Sequence, residues 1–167
     1  MKVHSTLLLA ILFLAMSVPT LGQDTTAVEA YEVLEISGVI SIDDDGVEEA
    51  LVELFEGNRV VDAFETKKNG KFKFTLYNNM VYTIQINKKG YYTKRISIST
   101  KLPEGYDDFE KFQFDIGLTA KDAEKYDPYL AEYPSALIAF DLRKKEFSFD
   151  KDYTKSYFDE IRLSDKQ

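Results

Sequence analysis

The feature that most constrains this fold is a strict alternation of apolar and polar residues in short segments. Side chains in a β-strand point alternately to opposite faces, so this pattern predicts strands with one buried face. A helix would scatter the same residues around its axis. The apolar positions are Leu34, Ile36, Ile40 and Ile42; Ala50, Val52 and Leu54; Phe72, Phe74 and Leu76; Tyr82, Ile84 and Ile86; Ile96 and Ile98; Phe112, Phe114, Ile116 and Leu118.

Turn-forming residues fill the gaps between these segments. They are Asp43-Asp44-Asp45-Gly46, Gly57-Asn58, Asn69-Gly70, Asn78-Asn79 and Lys89-Gly90. Segment 59–66 has apolar residues on both parities, so we expect a strand that is covered on both sides or bent. Seven short strands at this spacing predict a mainly β fold, a seven-stranded antiparallel sandwich of two sheets.

The same segments resemble the carboxypeptidase regulatory-like domain, a transthyretin-like (prealbumin-like) β-sandwich that is common in bacterial envelope proteins. The matching residues are Gly38-Val39, Ala50-x-Val52-x-Leu54, Thr66 with Asn69-Gly70-Lys71-Phe72, Tyr82, and Gly90-Tyr91. Gly70 would supply the positive φ of a tight hairpin before Phe72. The resemblance covers residues 36–100, with closure of the sandwich near Leu118.

Two departures from the family pattern affect its turns. Lys67 stands where the family often has Asp, and Val47-Glu48-Glu49 replaces a Pro and Gly pair. The family is named for domains attached to metallocarboxypeptidases, whose zinc enzyme is a separate domain that is not found here. Hydroxyisourate hydrolases use the transthyretin-like fold for catalysis, but they rely on histidines.

The first residues have the form of a secretory signal peptide. One basic residue, Lys2, precedes an apolar run over residues 7–18, and small residues follow at Thr20 and Gly22. This pattern predicts cleavage between Gly22 and Gln23. The alternative is a membrane anchor, but a spanning helix needs about 20 apolar residues. We therefore expect an exported protein, periplasmic or secreted to the cell surface or medium, with no stable membrane anchor.

Composition argues against several kinds of chemistry. The sequence has no cysteine, and its one histidine, His4, lies in the predicted signal peptide. Without cysteine at the cleavage site, the protein is not expected to be a lipoprotein. Triads of the Ser-His-Asp or Cys-His type and ordinary zinc sites need residues that the mature chain would lack. The sequence thus predicts a non-enzymatic protein with no catalytic residues, metal or cofactor.

Charge indicates which partners to expect. The 29 acidic and 21 basic residues give a net charge of −8, which disfavours nucleic acid. Asp43-Asp44-Asp45-Gly46 could gather oxygen ligands for Ca²⁺, but it lacks the EF-hand spacing and is read as a solvated turn. Asp107-Asp108 and Asp159-Glu160 could serve as acid and base on a glycosidic bond, but nothing in the sequence makes them converge.

The C-terminal third is less regular. We expect a hairpin from Ala136 to Asp141 and Glu146 to Asp150, then a helix from Tyr153 to about Leu163 with Asp152 as its cap. Tyr153, Tyr157 and Ile161 would form one helical stripe, either covering the sheet or docking a partner.

The predicted organisation is a signal peptide (1–22), a linker (23–32), the sandwich (33–120), a linker (121–134), and a hairpin plus helix packed on the sandwich (135–167).

The sequence supports two functional hypotheses. The first is a protein-interaction or structural module with an envelope protein as partner and an oligomeric state that the sequence leaves open. The second is a glycan or small-ligand binding module that uses a tyrosine-rich end of the sandwich. The candidate contact residues are Tyr91, Tyr92, Tyr106, Tyr126, Tyr129 and Tyr133. An exposed edge strand or apolar helix face would favour the first hypothesis, and a shallow aromatic patch beside polar groups the second.

Overall fold

The computed structural model describes residues 29–123 and 127–164, with side chains in the last helix described as far as Glu160. The predicted signal peptide and its cleavage site at Gly22 and Gln23 lie outside the described residues. In this described part of the chain the fold is mainly β, with two mixed sheets and one α-helix. Its strands are β1 (Glu32–Ile42), β2 (Asp45–Gly46), β3 (Leu51–Glu56), β4 (Arg59–Glu65), β5 (Lys71–Tyr77), β6 (Val81–Asn87), β7 (Lys94–Ser99), β8 (Glu110–Gln113), β9 (Ile116–Gly117), β10 (Ala136–Asp141) and β11 (Glu146–Phe149), and the helix is α1 (Lys151–Ser164).

The five-stranded sheet is built around β1. This long strand pairs antiparallel with β2 and β5, and parallel with β8 and β9. In this register Ile36 lies beside both Phe74 and Phe112. The alternation seen in the sequence therefore places residues from three strands on one apolar face.

The six-stranded sheet has the order β11-β10-β7-β6-β3-β4. The β10–β11 hairpin extends this sheet, because β10 pairs with β7. That pairing is parallel, as are those of β8 and β9 with β1. The prediction of wholly antiparallel sheets is therefore corrected. Parallel neighbours need a long crossover between them, and residues 100–134 provide it before β10.

The core lies between the two sheets. Alternate residues of β1, β3, β5, β6 and β7 are buried, as the sequence pattern predicts. Aromatic side chains join the sheets at two places: Phe64 contacts Phe74 at one flank, and Phe149 contacts Phe112 and Phe114 at the other. Such apolar burial is the main source of stability for a chain without disulfides.

Strand β4 differs from the prediction of a strand covered on both sides. Among the residues that the structure describes, it pairs only with β3, and nearly all of its residues are exposed. The predicted bend is present, because the register with β3 shifts between Leu54 and Phe55, which leaves Val61 as an extra residue. A bulge of this kind explains why apolar residues occupy both parities in β4.

The Asn69-Gly70 turn does not close a hairpin. It connects β4 in one sheet with β5 in the other, so the strands on either side of it do not pair with each other. Gly70 has the expected positive φ of 63°, and a Cβ there would lie 2.2 Å from the carbonyl oxygen of Ile40. Glycine is required at this position because both the dihedral angle and the space exclude a side chain.

The predicted last strand, 112–118, is divided into β8 and β9. Between them, the Asp115 side chain accepts a hydrogen bond of 2.9 Å from the backbone N–H of Val39. Gly38 allows this close approach, since a Cβ there would lie 1.6 Å from the carbonyl oxygen of Phe114.

Helix α1 begins two residues earlier than predicted. The Asp150 side chain accepts hydrogen bonds from the N–H groups of Asp152 and Tyr153, so Asp150, not Asp152, caps the helix. The segment predicted as a linker contains a 3₁₀ turn, Pro128–Glu132, with Leu130 buried against Tyr157. This turn fastens the helix to the rest of the fold.

Candidate functional site

Two of the predicted tyrosines form an exposed pair on the 3₁₀ turn. The rings of Tyr129 and Tyr133 meet edge to face with centroids 5.1 Å apart, and their hydroxyl groups are hydrogen-bonded to each other. The side chain of Asp127 orients the turn by accepting a 2.9 Å hydrogen bond from the N–H of Tyr129. Tyr129 is 58% exposed and Tyr133 is 44% exposed, so both rings are open to a ligand.

Helix α1 adds two more tyrosines to this patch. The hydroxyl of Tyr153 donates to the carbonyl of Pro134 at 2.6 Å, and that of Tyr157 donates to the carbonyl of Leu130. Together with Tyr129 and Tyr133 they line a shallow depression of about 310 Å³, which we call the tyrosine pocket. The helical stripe of Tyr153 and Tyr157 was visible in the sequence, but nothing there placed it beside the 3₁₀ turn.

The remaining predicted tyrosines are divided among different places. Tyr92 packs against the buried Leu130 and Tyr157 beneath the pocket, and Tyr91 is half-buried where its backbone pairs with Ala120. Tyr106 does not belong to the tyrosine pocket.

Tyr106 lies instead against the second half of β10 and the turn that follows it. Its ring lies 4.4 Å from that of Phe140, and its hydroxyl donates to Glu110 at 2.7 Å. Tyr126 lies outside the described residues. The predicted cluster of six is therefore reduced to Tyr129 and Tyr133 at the pocket, with Tyr92 below them.

Hydrogen bonding and burial raise the pKa of two pocket tyrosines, Tyr133 and Tyr153. The hydrogen bond with Tyr129 raises the pKa of Tyr133, with smaller contributions from burial and from nearby carboxylates including Glu160. Burial raises the pKa of Tyr153, and Glu160 adds to the effect. The exposed ring faces of Tyr129 and Tyr133 suit an uncharged polar ligand such as a sugar.

The outer edge of β4 is a second candidate site. The backbone N–H and C=O of Thr66 both bond toward β3. Alternation along the strand then directs the backbone groups of Ala63 and Glu65 outward. Within residues 29–123 and 127–164, no strand pairs with this edge, and the side chains of Val60 and Val61 are 44% and 39% exposed. The edge therefore offers unpaired backbone groups beside apolar side chains.

A third feature is an apolar groove between the sheets, which we call the inter-sheet groove. It has a volume of about 530 Å³ and opens beside α1. Its walls come from β7, the β8–β9 region, β10, β11 and the helix, and include Ile96, Phe114, Leu118, Phe149 and Phe158. The buried side chain of Lys94 also lines it, and burial lowers the pKa of this ammonium group.

The predicted acidic features do not converge in the described structure. Within residues 29–123 and 127–164, no three Asp, Glu, His or Cys side chains lie close enough together to hold a metal ion. The turn at Asp43-Asp44-Asp45 is solvent-exposed, with positive φ at Asp43 and Asp44. In the part of the chain that the structure describes, no helix is long and apolar enough to cross a membrane.

Comparison with known proteins yields matches to structures only. No protein-family profile matches this chain, and no curated protein sequence is significantly similar to it. It is similar to 3-chlorocatechol 1,2-dioxygenase from Rhodococcus opacus 1CP, with 9% identity and a TM-score of 0.39 over 53% of this chain and 60% of that one. It is also similar to catechol 1,2-dioxygenase from Acinetobacter sp. ADP1, with 14% identity and a TM-score of 0.38 over 58% of this chain and 55% of that one. A third similar structure is S.CueP, with 17% identity and a TM-score of 0.34 over 52% of this chain and 62% of that one.

These matches contradict the prediction that the chain is not an enzyme. Two of the three structures are dioxygenases, so that prediction is withdrawn. The chain spans only 55% to 62% of the length of the three structures. All TM-scores are below 0.4, and the likeness assigns no reaction, metal or substrate to this chain.

Proposed function

We propose that this chain is an exported protein-interaction module of the bacterial envelope, and that an extended segment of its partner adds to the edge of β4. The observation that carries the proposal is the outer edge of β4, which ends the six-stranded sheet and pairs with no strand of the described residues. Strand addition gains affinity from backbone hydrogen bonds, which the outward groups of Ala63 and Glu65 can make.

The side chains along β4 fit this role. Val60, Val61 and Ala63 are exposed and apolar, whereas Asp62 and Glu65 are charged. The bulge at Val61 twists the strand and limits uncontrolled pairing between copies. A partner strand would thus pair with the regular stretch, residues 62–65, and pack on the apolar side chains nearby.

The family resemblance supports the same proposal. We propose that β1 and β3–β8 form a transthyretin-like sandwich of the carboxypeptidase regulatory-like type. Support comes from the buried Ala50, Val52 and Leu54, from Gly70 with its positive φ, and from Thr66. The Thr66 hydroxyl accepts from the N–H of Ala50 and donates to the carbonyl of Val47, which fixes the start of β3. The signal peptide pattern supports export.

A proline substitution tests the β4 edge. In Ala63→Pro an outward N–H is removed, while the bonds to β3 are kept, as proline allows on edge strands. Tagged protein is crosslinked and purified from its native envelope fraction, with Ala63→Ser as the matched control because serine retains the N–H. We expect a stoichiometric partner with the unchanged protein and Ala63→Ser, and loss of it with Ala63→Pro. Equal recovery with all three proteins would reject strand addition at β4.

The tyrosine pocket supports a second candidate function, binding of an uncharged glycan. The observation in its favour is the exposed ring pair of Tyr129 and Tyr133 beside the polar side chains of Ser156 and Glu160. A glycan array probed with the protein and with Tyr129→Ala tests it, with the exposed Tyr77→Ala as control. Binding that Tyr129→Ala abolishes and Tyr77→Ala retains would establish the glycan site, and binding unaffected by Tyr129→Ala would exclude it.

A further inference from the structure

A groove adjoins the end of β4 on the flank of the sandwich. It has a volume of about 560 Å³, and we call it the β4–β5 groove. Strand β5, like β4, ends its sheet, and among the described residues it pairs only with β1. The groove is thus bordered by the end strands of both sheets. The residues that line it include Phe64, Phe72, Glu65, Lys67, Lys71 and Lys73.

The charge of this groove is opposite in sign to that of the whole chain. The chain carries a net charge of −8, yet residues 67–73 contain no acidic residue and hold Lys67, Lys68, Lys71 and Lys73. Glu65 is the one acidic residue that lines the groove, beside three lysines. A locally positive surface on an acidic protein attracts an anionic partner.

Two of the groove lysines have no charged partner among the described residues. The Nζ of Lys73 lies 2.6 Å from a carboxylate oxygen of Glu35, so this lysine is already paired. Lys67 and Lys71 are exposed, and within residues 29–123 and 127–164 neither ammonium group is in an ion pair. The acidic turn at Asp43-Asp44-Asp45 does not line the groove. Lys67 and Lys71 can therefore meet a carboxylate of a partner.

Strand geometry decides which side chains of an added strand would enter the groove. Phe64 lies opposite the buried Val52 of β3, and its ring contacts that of Phe74 with centroids 5.5 Å apart. Residues directly opposite each other on neighbouring strands share a face of the sheet. A partner residue opposite Phe64 would therefore project toward β5, and so would the residue two positions along the same strand.

We infer that the segment added at β4 is acidic as well as extended: an apolar side chain opposite Phe64 packs in the β4–β5 groove, and a carboxylate on the same face contacts Lys67 and Lys71. This inference rests on the strand addition proposed above and names the chemistry of the partner segment. Backbone hydrogen bonds supply affinity that does not depend on sequence, whereas the charge contact selects the partner and its register.

A displayed library of random short peptides, selected on the purified protein, provides the probe. Selected peptides are synthesised, and their binding site is located by the shifts of backbone amide NMR signals. We expect the peptides that shift β4 to be enriched in Asp and Glu relative to the library. Replacement of their Glu by Gln should weaken binding about fivefold, the combined effect of two exposed ion pairs. Peptides that bind at β4 without this enrichment would overturn the inference and leave strand addition intact.

Substitution of the two lysines tests the charge contact directly. In the double variant Lys67→Gln with Lys71→Gln, the difference in affinity between Glu and Gln peptides should disappear. The fold should be retained, because both positions are exposed. The matched control is Lys101→Gln with Lys121→Gln, at two exposed lysines that do not line the groove, and it should keep the difference. A difference that survives the loss of Lys67 and Lys71 would reject their role.

The Ala63→Pro variant separates failure of this inference from failure of strand addition. It removes an outward N–H and leaves the lysines in place, so it should weaken the Glu and Gln peptides alike, whereas Ala63→Ser should weaken neither. If no selected peptide shifts the amide signals of β4, or if Ala63→Pro leaves binding there unchanged, strand addition itself fails and the inference fails with it.

Discussion

The two edges of the six-stranded sheet, β4 and β11, are built in opposite ways. At β11 the N–H of Phe147 donates to the Glu110 side chain at 2.9 Å, and the ring of Phe112 in β8 packs on Phe149. At β4 the outward backbone groups face solvent, and the side chains are mostly exposed. One edge is thus covered by the protein itself, whereas the other has no pairing strand within residues 29–123 and 127–164. A sheet that closes one of its edges limits where a partner strand can add to it.

The largest effect should come from removing the aromatic anchors of the two edges. Phe147 is 3% exposed and contacts Phe140, so Phe147→Ala should lower the free energy of unfolding by about 3–5 kcal/mol. Phe64 on β4 is half-buried against Phe74, and Phe64→Ala should cost about 1–2 kcal/mol. Urea unfolding measures the free energy lost in each variant. Equal losses would show that the two edges are anchored alike, contrary to the comparison.

A smaller effect is expected from opening the closed edge. Glu110→Ala leaves the N–H of Phe147 without its acceptor, which should destabilise the fold by about 1–3 kcal/mol. Hydrogen exchange at Phe147 should accelerate toward the rates measured in β4. Gln113→Ala, an exposed position on the same strand, is the control and should change neither quantity. Unchanged exchange at Phe147 in Glu110→Ala would mean that packing, not this hydrogen bond, closes the edge.

The open edge should tolerate loss of a backbone donor. Ala63→Pro removes an N–H that is directed to solvent, so the free energy of unfolding should change by less than about 1 kcal/mol. The urea midpoint, compared with that of Ala63→Ser, checks this expectation. A loss as large as that of Glu110→Ala would show that the Ala63 N–H is already engaged within the fold.

The smallest effect concerns the tyrosine beside the closed edge. The hydrogen bond to Glu110 raises the pKa of Tyr106 to about 12 from 10.0. The neutral hydroxyl is thus favoured in the folded state, so its stabilising contribution is complete below pH 10 and is lost as pH rises toward 12. Tyr106→Phe should flatten this alkaline loss of stability, measured by urea unfolding across that range. The exposed Tyr77→Phe is the control, and an identical pH dependence in all three proteins would contradict the coupling to Glu110.

Much of the fold was predictable from local pattern. Alternation identified the core faces of β1, β3, β5, β6 and β7, because strand geometry alone decides which residues share a face. The positive φ at Gly70 followed from the Asn-Gly turn. The predicted helix was also found, although Asp150 caps it where Asp152 was expected. Both residues are aspartates, which are favoured helix caps, so the sequence did not decide between them.

The candidate sites were less predictable. The tyrosine-rich end was foreseen as one cluster, yet the structure separates Tyr106 from Tyr129 and Tyr133. Spacing along the chain does not tell which strands become neighbours, and the parallel entry of β10 beside β7 brings the 3₁₀ turn to α1. The inter-sheet groove was not predicted, because its walls come from segments that are far apart in the sequence.

The sequence by itself determined the strands, their buried faces and the turn at Gly70, since these depend on residues close together in the chain. Only the tertiary structure decided that β8 and β10 pair in parallel, that β11 is closed by Glu110, and that β4 remains open. Those outcomes depend on contacts between residues far apart in sequence, whose free energies are set by how two sheets and a helix pack together. The β4 edge and the tyrosine pocket both arise from that packing.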